Sequence, residues 1–266
     1  MPPLSKSPSR RIQRAPQSMA TPLFLINLDA AADRRDHMLA QLRARGVVAR
    51  RIGIDCRTLS RRQIAARAER RFPAIRFDFD SLSGAEIGCW MSHLEAWAAF
   101  LAGGPGNACA VIEDDVILDP AFARAIDALA ADDSYDVVYL GTSSKNLSAR
   151  RRARIGDVWV HEPLGAIYNT WGYVIRREYL ERLFALRPLR LDVPIDHVLG
   201  GRVAAPRHRI AVVQPALVRE EPRFGRRSQI EPYTWRCDRW RVVETARRAF
   251  LASRASDWYY ALVRAL

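Results

Sequence analysis

The chain has 266 residues, 49% hydrophobic and 27% charged, a globular composition that can bury a sizeable core in one large domain or two small ones. No run of about 18 apolar residues occurs, which excludes a spanning helix, and four cysteines without CxxC spacing exclude a cysteine-stapled miniprotein and argue against a zinc or dithiol motif. The net charge of +13 is almost pure arginine, with Lys6 and Lys145 the only lysines; it favours nucleotides, nucleic acid or an acidic membrane face without choosing among them, and a genome-wide arginine bias explains it equally well.

Residues 1–20 are basic and lack the apolar core of a secretory signal, so they are expected to form a disordered arm. Cys56, Cys89, Cys109 and Cys237 read as reduced, mostly buried thiols of a cytoplasmic chain. Order is expected from Thr21. The run PLFLINL, residues 22–28, suits a buried strand. Residues 33–45 carry Met38, Leu39 and Leu42 at helical spacing and stop at Gly46, and residues 47–54 read as a second strand. Residues 60–71 predict a solvated helix and residues 72–80 an irregular stretch. Ser83-Gly84-Ala85-Glu86 is a capping box opening a helix to about Phe100, and GGPG at 103–106 is a turn.

A buried strand is expected at 108–112, a helix from Pro120 to about Ala130, and a strand at 136–140. Residues 143–156 read as a basic loop, 166–175 as a strand interrupted by Gly172, 177–185 as a helix and 210–213 as the last strand. Residues 219–239 read as a loop over a site, and 241–266 as a C-terminal helix. This order predicts an α/β fold with a mainly parallel sheet, in a single domain over residues 21–240.

The strand at 108–112 runs directly into Glu113-Asp114-Asp115. Ligands of open α/β sheets bind beyond the carboxyl ends of strands. Three adjacent carboxylates repel one another unless a cation neutralises them, and Mg²⁺ or Mn²⁺ suits oxygen ligands and a diphosphate. In extended backbone Glu113 and Asp115 share one side while Asp114 points away. The alternative is an acidic loop that caps the next helix and faces water.

Four blocks resemble glycosyltransferase family 25, which includes bacterial lipooligosaccharide galactosyltransferases and collagen galactosyltransferase domains. They are FLINLDAAADRRDHM (24–38), LSGAEIGCWMSHLEAW (82–97), AVIEDDVIL (110–118), and NTWGYVIRR (169–177) with VPIDHVL (193–199). RRSQIEP (226–232) resembles a late family feature more faintly. The resemblance implies a GT-A-like fold, a UDP-sugar donor (UDP-galactose or UDP-glucose), Mn²⁺ or Mg²⁺, and inversion at the anomeric carbon. It implies a glycan acceptor, an oligosaccharide or glycolipid of lipopolysaccharide or other surface-polysaccharide synthesis. The triplet stands in the place of the metal-binding DxD motif.

On that resemblance, Asp115 is the main metal ligand, with Glu113 and His208 as further candidates. Asn27, Asp29, Arg34, Glu113, Asp114, Gly172, Tyr173 and Ser228 are candidates for holding the donor. Arg34 either clamps a phosphate or makes a helix-surface pair with Asp33. Gly172 and Tyr173 either admit and stack a sugar or are buried strand positions. His93 either holds hydroxyls, orients an acid or is a satisfied core histidine. Asp196 is the candidate base, with Asp192 as backup; a plain helix N-cap is the competing role for Asp196. The rival readings are a non-catalytic family member that binds glycan or nucleotide and a basic nucleic-acid-binding protein; ARRRAR at 149–154 is too isolated to signal a specific nucleic-acid partner. The basic arm and Tyr259-Tyr260 suggest peripheral contact with an anionic inner membrane face.

Overall fold

The computed structural model describes residues 19–143, 147–200 and 208–225. Nearly all of the expected arm, Ser228, Cys237, the late motif at 226–232 and the expected helix at 241–266 lie outside the described residues.

The chain opens with β1 (Leu23–Ile26), α1 (Ala32–Ala44), β2 (Arg50–Ile52), α2 (Arg61–Arg71) and β3 (Ile75–Phe77). Then come α3 (Gly84–Leu101), β4 (Ala108–Glu113), β5 (Val116–Leu118), α4 (Phe122–Ala131) and β6 (Val137–Tyr139). The hairpin β7 (Leu147–Ile155) and β8 (Val158–Pro163) precedes β9 (Gly172–Arg176), α5 (Arg177–Ala185), β10 (Leu189–Leu191) and α6 (Ile195–Leu199). The last described elements are β11 (Ile210–Gln214), β12 (Val218–Glu220) and the short α7 (Pro222–Gly225). The Ser83 box forms as expected: Ser83 Oγ accepts from the Glu86 N–H at 3.2 Å, and Glu86 Oε2 accepts from the Ser83 N–H at 2.7 Å.

Eight strands form one sheet in the order β2-β1-β4-β9-β6-β11-β8-β7. The expectation of a mainly parallel sheet is corrected here. β1 lies parallel to β2 and β4, and β6 to β11, but β9 runs antiparallel between β4 and β6, and β11, β8 and β7 alternate in direction. A buried apolar run such as GYVIR fits a central strand of either direction, so composition does not encode orientation. The basic loop expected at 143–156 is mostly β7, an edge strand closed onto β8 through Gly156-Asp157, with Gly156 at φ 55°. Charged side chains suit an edge strand, and they hid its periodicity. The strand expected at 166–175 begins only at Gly172, and the irregular stretch 72–80 contains β3.

Alternation along β4 divides the core. Cys109 and Val111 face the layer that holds α3, α5 and α6, with Trp90, Trp97 and Leu180; Ala108, Ala110 and Ile112 face α1 and α4, with Met38, Phe122 and Leu129. Since β1, β4, β6 and β11 share one direction, their carboxyl ends form one edge of the sheet, where Asn27 and the acidic triplet lie. Asp136, His208 and Arg209 occupy the other edge.

Candidate active site

The alternation of β4 carries into the triplet. Glu113 continues on the α3 side: its Oε1 accepts from Thr170 Oγ1 at 2.5 Å and lies 3.6 Å from His93 Nε2. Asp114 turns to the α1 side, where Oδ2 accepts from Asn27 Nδ2 at 2.7 Å and Oδ1 from Arg34 Nη1 at 3.1 Å. Asp115 meets the same Arg34 nitrogen through Oδ2 at 3.3 Å, while its Oδ1 is buried with no hydrogen-bond partner among the described residues. The exit from the bend is pinned by pairing of β5 with β12 and by the Glu221 N–H, which donates to the Asp115 carbonyl at 2.8 Å.

Arg34 is buried, so it is not the surface ion pair with Asp33. It ties Asp114 and Asp115 to the Phe224 carbonyl, reached by Nη2 at 3.3 Å, and packs 5.3 Å over the Phe224 ring. Asn27 is equally committed: its amide donates to Asp114 and to the Ala31 carbonyl, and its oxygen accepts from Arg51. Asp29 is exposed and paired with Arg51 at 2.6 Å.

The triplet walls a cleft of about 160 Å³ that Cys89 and Ser92 of α3, Asn27, and Asp55 and Arg57 after β2 also line. Ser92 stitches α3 to this loop, accepting from the Ile54 N–H at 2.9 Å and donating to the Gly88 carbonyl at 2.8 Å. Trp90 is fully buried in the core, and its Nε1 donates to the Val193 carbonyl at 2.8 Å, which fixes the approach to α6. Asp196 lies at the start of α6, with a buried Oδ1 that has no hydrogen-bond partner among the described residues. The N-cap position of α6 is Pro194 and Asp196 stands one residue inside the helix, so the N-cap role is not the one it fills.

Electrostatics set this cleft apart. Burial, then the charge of Glu113, push Asp115 up to about 7, with Arg34 opposing. Burial, then Glu113, push Asp196 up to about 6. Asp114 is raised by burial and partly restored by its bonds to Asn27 and Arg34. A chain of net charge +13 thus gathers Glu113, Asp114 and Asp115 on the wall of one cleft, with Asp196 near enough to feel the charge of Glu113.

Other expected residues lie elsewhere. His208 enters β11 at the opposite edge of the sheet; its Nε2 engages the Leu199 carbonyl at 2.9 Å and its ring packs on Tyr179, so it is not brought to the triplet. Gly172 is buried in β9, where a Cβ would stand 3.2 Å from Ile112 and Val218 methyls. Tyr173 is fully buried and offers no face to a sugar; its hydroxyl meets His93 Nδ1 at 2.6 Å and accepts from Trp97 Nε1 at 3.1 Å. His93 is likewise fully buried and stacked on Tyr173, so it offers no contact to donor or acceptor hydroxyls; its Nε2 lies 3.6 Å from Glu113 Oε1. Asp192 is exposed. Sequence reasoning missed Thr170 and Cys89, whose only signals were the blocks that contain them.

The chain matches the model of "Glycosyltransferase family 25 (LPS biosynthesis protein)" over residues 20–199, more than half its length. It is 27% identical over 187 residues to procollagen galactosyltransferase 1 of Danio rerio and 28% over 187 residues to procollagen galactosyltransferase 2 of Homo sapiens. It is also 28% identical over 185 residues to inactive glycosyltransferase 25 family member 3 of Homo sapiens. Each match covers 66% of this chain but only 30%, 29% and 31% of those relatives, so the chain spans about a third of their length. A solved mannose-1-phosphate geranyltransferase from Thermus thermophilus aligns over 73% of each chain at 16% identity, and its TM-score of 0.33 is too low to support a shared fold.

Proposed function

The chain belongs to glycosyltransferase family 25, and on that premise we propose that it moves galactose or glucose from a UDP-sugar to a glycan hydroxyl, with inversion, on a GT-A-like fold. The observation that carries this reading is Asp115 Oδ1, buried and unpartnered among the described residues at the wall of an acidic cleft. An oxygen desolvated without a partner is costly, and a divalent cation is the partner that fits a set of carboxylates. Asp115 and Glu113 would hold Mn²⁺ or Mg²⁺; Asp114, spent on Asn27 and Arg34, braces the bend instead. A bound divalent ion supplies positive charge for the diphosphate leaving group.

Asp196 takes the proton of the acceptor hydroxyl. Its pKa of about 6 leaves it ionised at neutral pH and more basic than an ordinary carboxylate. Arg34, rigidly held, keeps Asp114 and Asp115 in place and is a positioning residue. Asn27, Asp29, Arg57 and Ser228 are the remaining candidates toward the nucleotide, with Ser228 outside the described residues. The acceptor is an oligosaccharide or glycolipid of surface-polysaccharide synthesis. No helix of the described residues is long and apolar enough to cross a membrane. Cytoplasmic placement with peripheral contact to an anionic membrane is part of the proposal and would show as salt-sensitive binding to anionic liposomes.

The decisive assay is hydrolysis of a UDP-sugar panel with Mn²⁺, Mg²⁺ or EDTA. Metal-dependent hydrolysis of one sugar, lost in Asp115→Ala, is expected. Silence in that assay, together with no calorimetric binding of UDP plus Mn²⁺, would favour the second reading, a non-catalytic member. That reading draws support from the equal similarity to a relative named inactive.

A further inference from the structure

Cys89, His93 and Trp97 recur at four-residue spacing on α3 and so form one stripe of that helix. The stripe faces the end of β4. Cys89 Sγ, a His93 ring nitrogen and a Glu113 carboxylate oxygen all lie within 4.8 Å of one another. His93 Nε2 is the atom that points at the group. It is fully buried, has no hydrogen-bond partner among the described residues, and stands 3.6 Å from Glu113 Oε1, too far for a hydrogen bond. A buried imidazole nitrogen left in this way requires a reason.

We propose that Cys89, His93 and Glu113 form a binding site for a borderline-soft divalent metal of the Zn²⁺ class, distinct in donor chemistry from the all-carboxylate site on Asp115. Thiolate and imidazole donors select such ions over Mg²⁺ or Mn²⁺. Ligand distances of about 2.0–2.3 Å place donors of one tetrahedron roughly 3.3–3.8 Å apart, within reach of this trio by small side-chain rotations. Three protein ligands leave a fourth position open toward the cleft that Cys89 lines.

The surroundings are those of a supported site. His93 Nδ1 is engaged by the Tyr173 hydroxyl, whose oxygen also accepts from Trp97, so the ring is held with Nε2 toward Glu113. Thr170 anchors the Glu113 carboxylate in the same manner. Burial, then Glu113, Asp196, Glu86 and Asp115, push the Cys89 thiol well up in the metal-free chain. A cation reverses each of those charge effects, and binding then releases the thiol proton. Glu113 is common to both sites, so Zn²⁺ at one alters the other.

The test is a titration of the metal-free full chain with Co²⁺ alone, read by absorbance. A thiolate-to-cobalt charge-transfer band that saturates at one equivalent and is displaced by Zn²⁺ is expected. Cys89→Ser should remove that band, Cys237→Ser should keep it, and His93→Gln should weaken Co²⁺ binding tenfold or more. Asp115→Asn should keep the band, which separates this site from the one used in the proposed transfer. The proposal is overturned if the wild-type chain shows no thiolate band or if the band survives Cys89→Ser. Should Cys89→Ser not fold, alkylation of wild-type Cys89, mapped by mass spectrometry, decides: Zn²⁺ must slow it at least tenfold, and an unchanged rate rejects the site.

Discussion

Asp115 and Asp136 are two carboxylates set low in solvent exposure at opposite edges of one sheet, and the fold treats them in opposite ways. Asp136 accepts from the Arg209 N–H at 2.7 Å and Arg182 Nη2 at 3.0 Å, with Arg209 Nε at 3.4 Å. Burial alone would raise its pKa, but these bonds outweigh burial and hold it below the ordinary carboxylate value. Asp115 shares one arginine nitrogen with Asp114, keeps an oxygen with no hydrogen-bond partner among the described residues, and is pushed up to about 7. The satisfied acid fastens β6, β11 and α5 together. The unsatisfied one stores unfavourable electrostatics where a cation can relieve them.

The largest effect is expected from Asp115→Asn. Metal-dependent UDP-sugar hydrolysis should fall to background, while the metal-free variant melts at a higher temperature than the parent because a poorly neutralised charge is gone. An unchanged turnover in that variant would remove the contrast altogether. Next, Asp196→Asn should lower kcat for transfer by about 10²–10⁴-fold at nearly constant donor KM, as loss of a general base does; a purely KM effect would assign Asp196 to binding. Thr170→Val frees the Glu113 carboxylate and should weaken divalent-metal affinity by about 10–100-fold, measured by calorimetry.

Asp136→Asn probes the other edge. Weakening its arginine bonds should cost about 1–3 kcal/mol, or several degrees of melting temperature at roughly 2–4 °C per kcal/mol, without altering metal affinity. Any loss of metal binding there would mean that the two edges are coupled. A further effect is in pH dependence. The folded-state value of Asp115 stands above its ordinary 3.8, so between about 4 and about 7 the folded chain holds a proton that the unfolded chain lacks. Stability of the metal-free chain should therefore fall as pH rises through that window, with Asp196 adding the same sign up to about 6. Asp136 acts oppositely: its contribution is lost as pH falls below the ordinary carboxylate range. Denaturant midpoints measured across pH in the wild-type chain and Asp115→Asn separate the two.

Much of this molecule is legible in one dimension. Apolar runs located β1, β4, β6 and β11, and the capping box located α3 to within a residue, because burial and capping depend on neighbours within a few positions. The period of two along β4 foretold that Glu113 and Asp114 part to opposite sides, but the chain bends after Glu113 and Asp115, expected on the side of Glu113, meets the same Arg34 nitrogen as Asp114. Blocks resembling a family placed the acidic triplet at a site. Other features required the third dimension. The direction of β9 depends on which strands it joins, and β7 is a strand only because β8 pairs with it. Arg34 meets Asp114 across 80 positions, and Tyr173 meets His93 across 80. Where charge and apolar surface occur along the chain is written in one dimension, since those are properties of side chains. Which carboxylates are neutralised and which are left open to a cation emerges with the folded chain, because a pKa is set by partners and burial that long-range packing brings together.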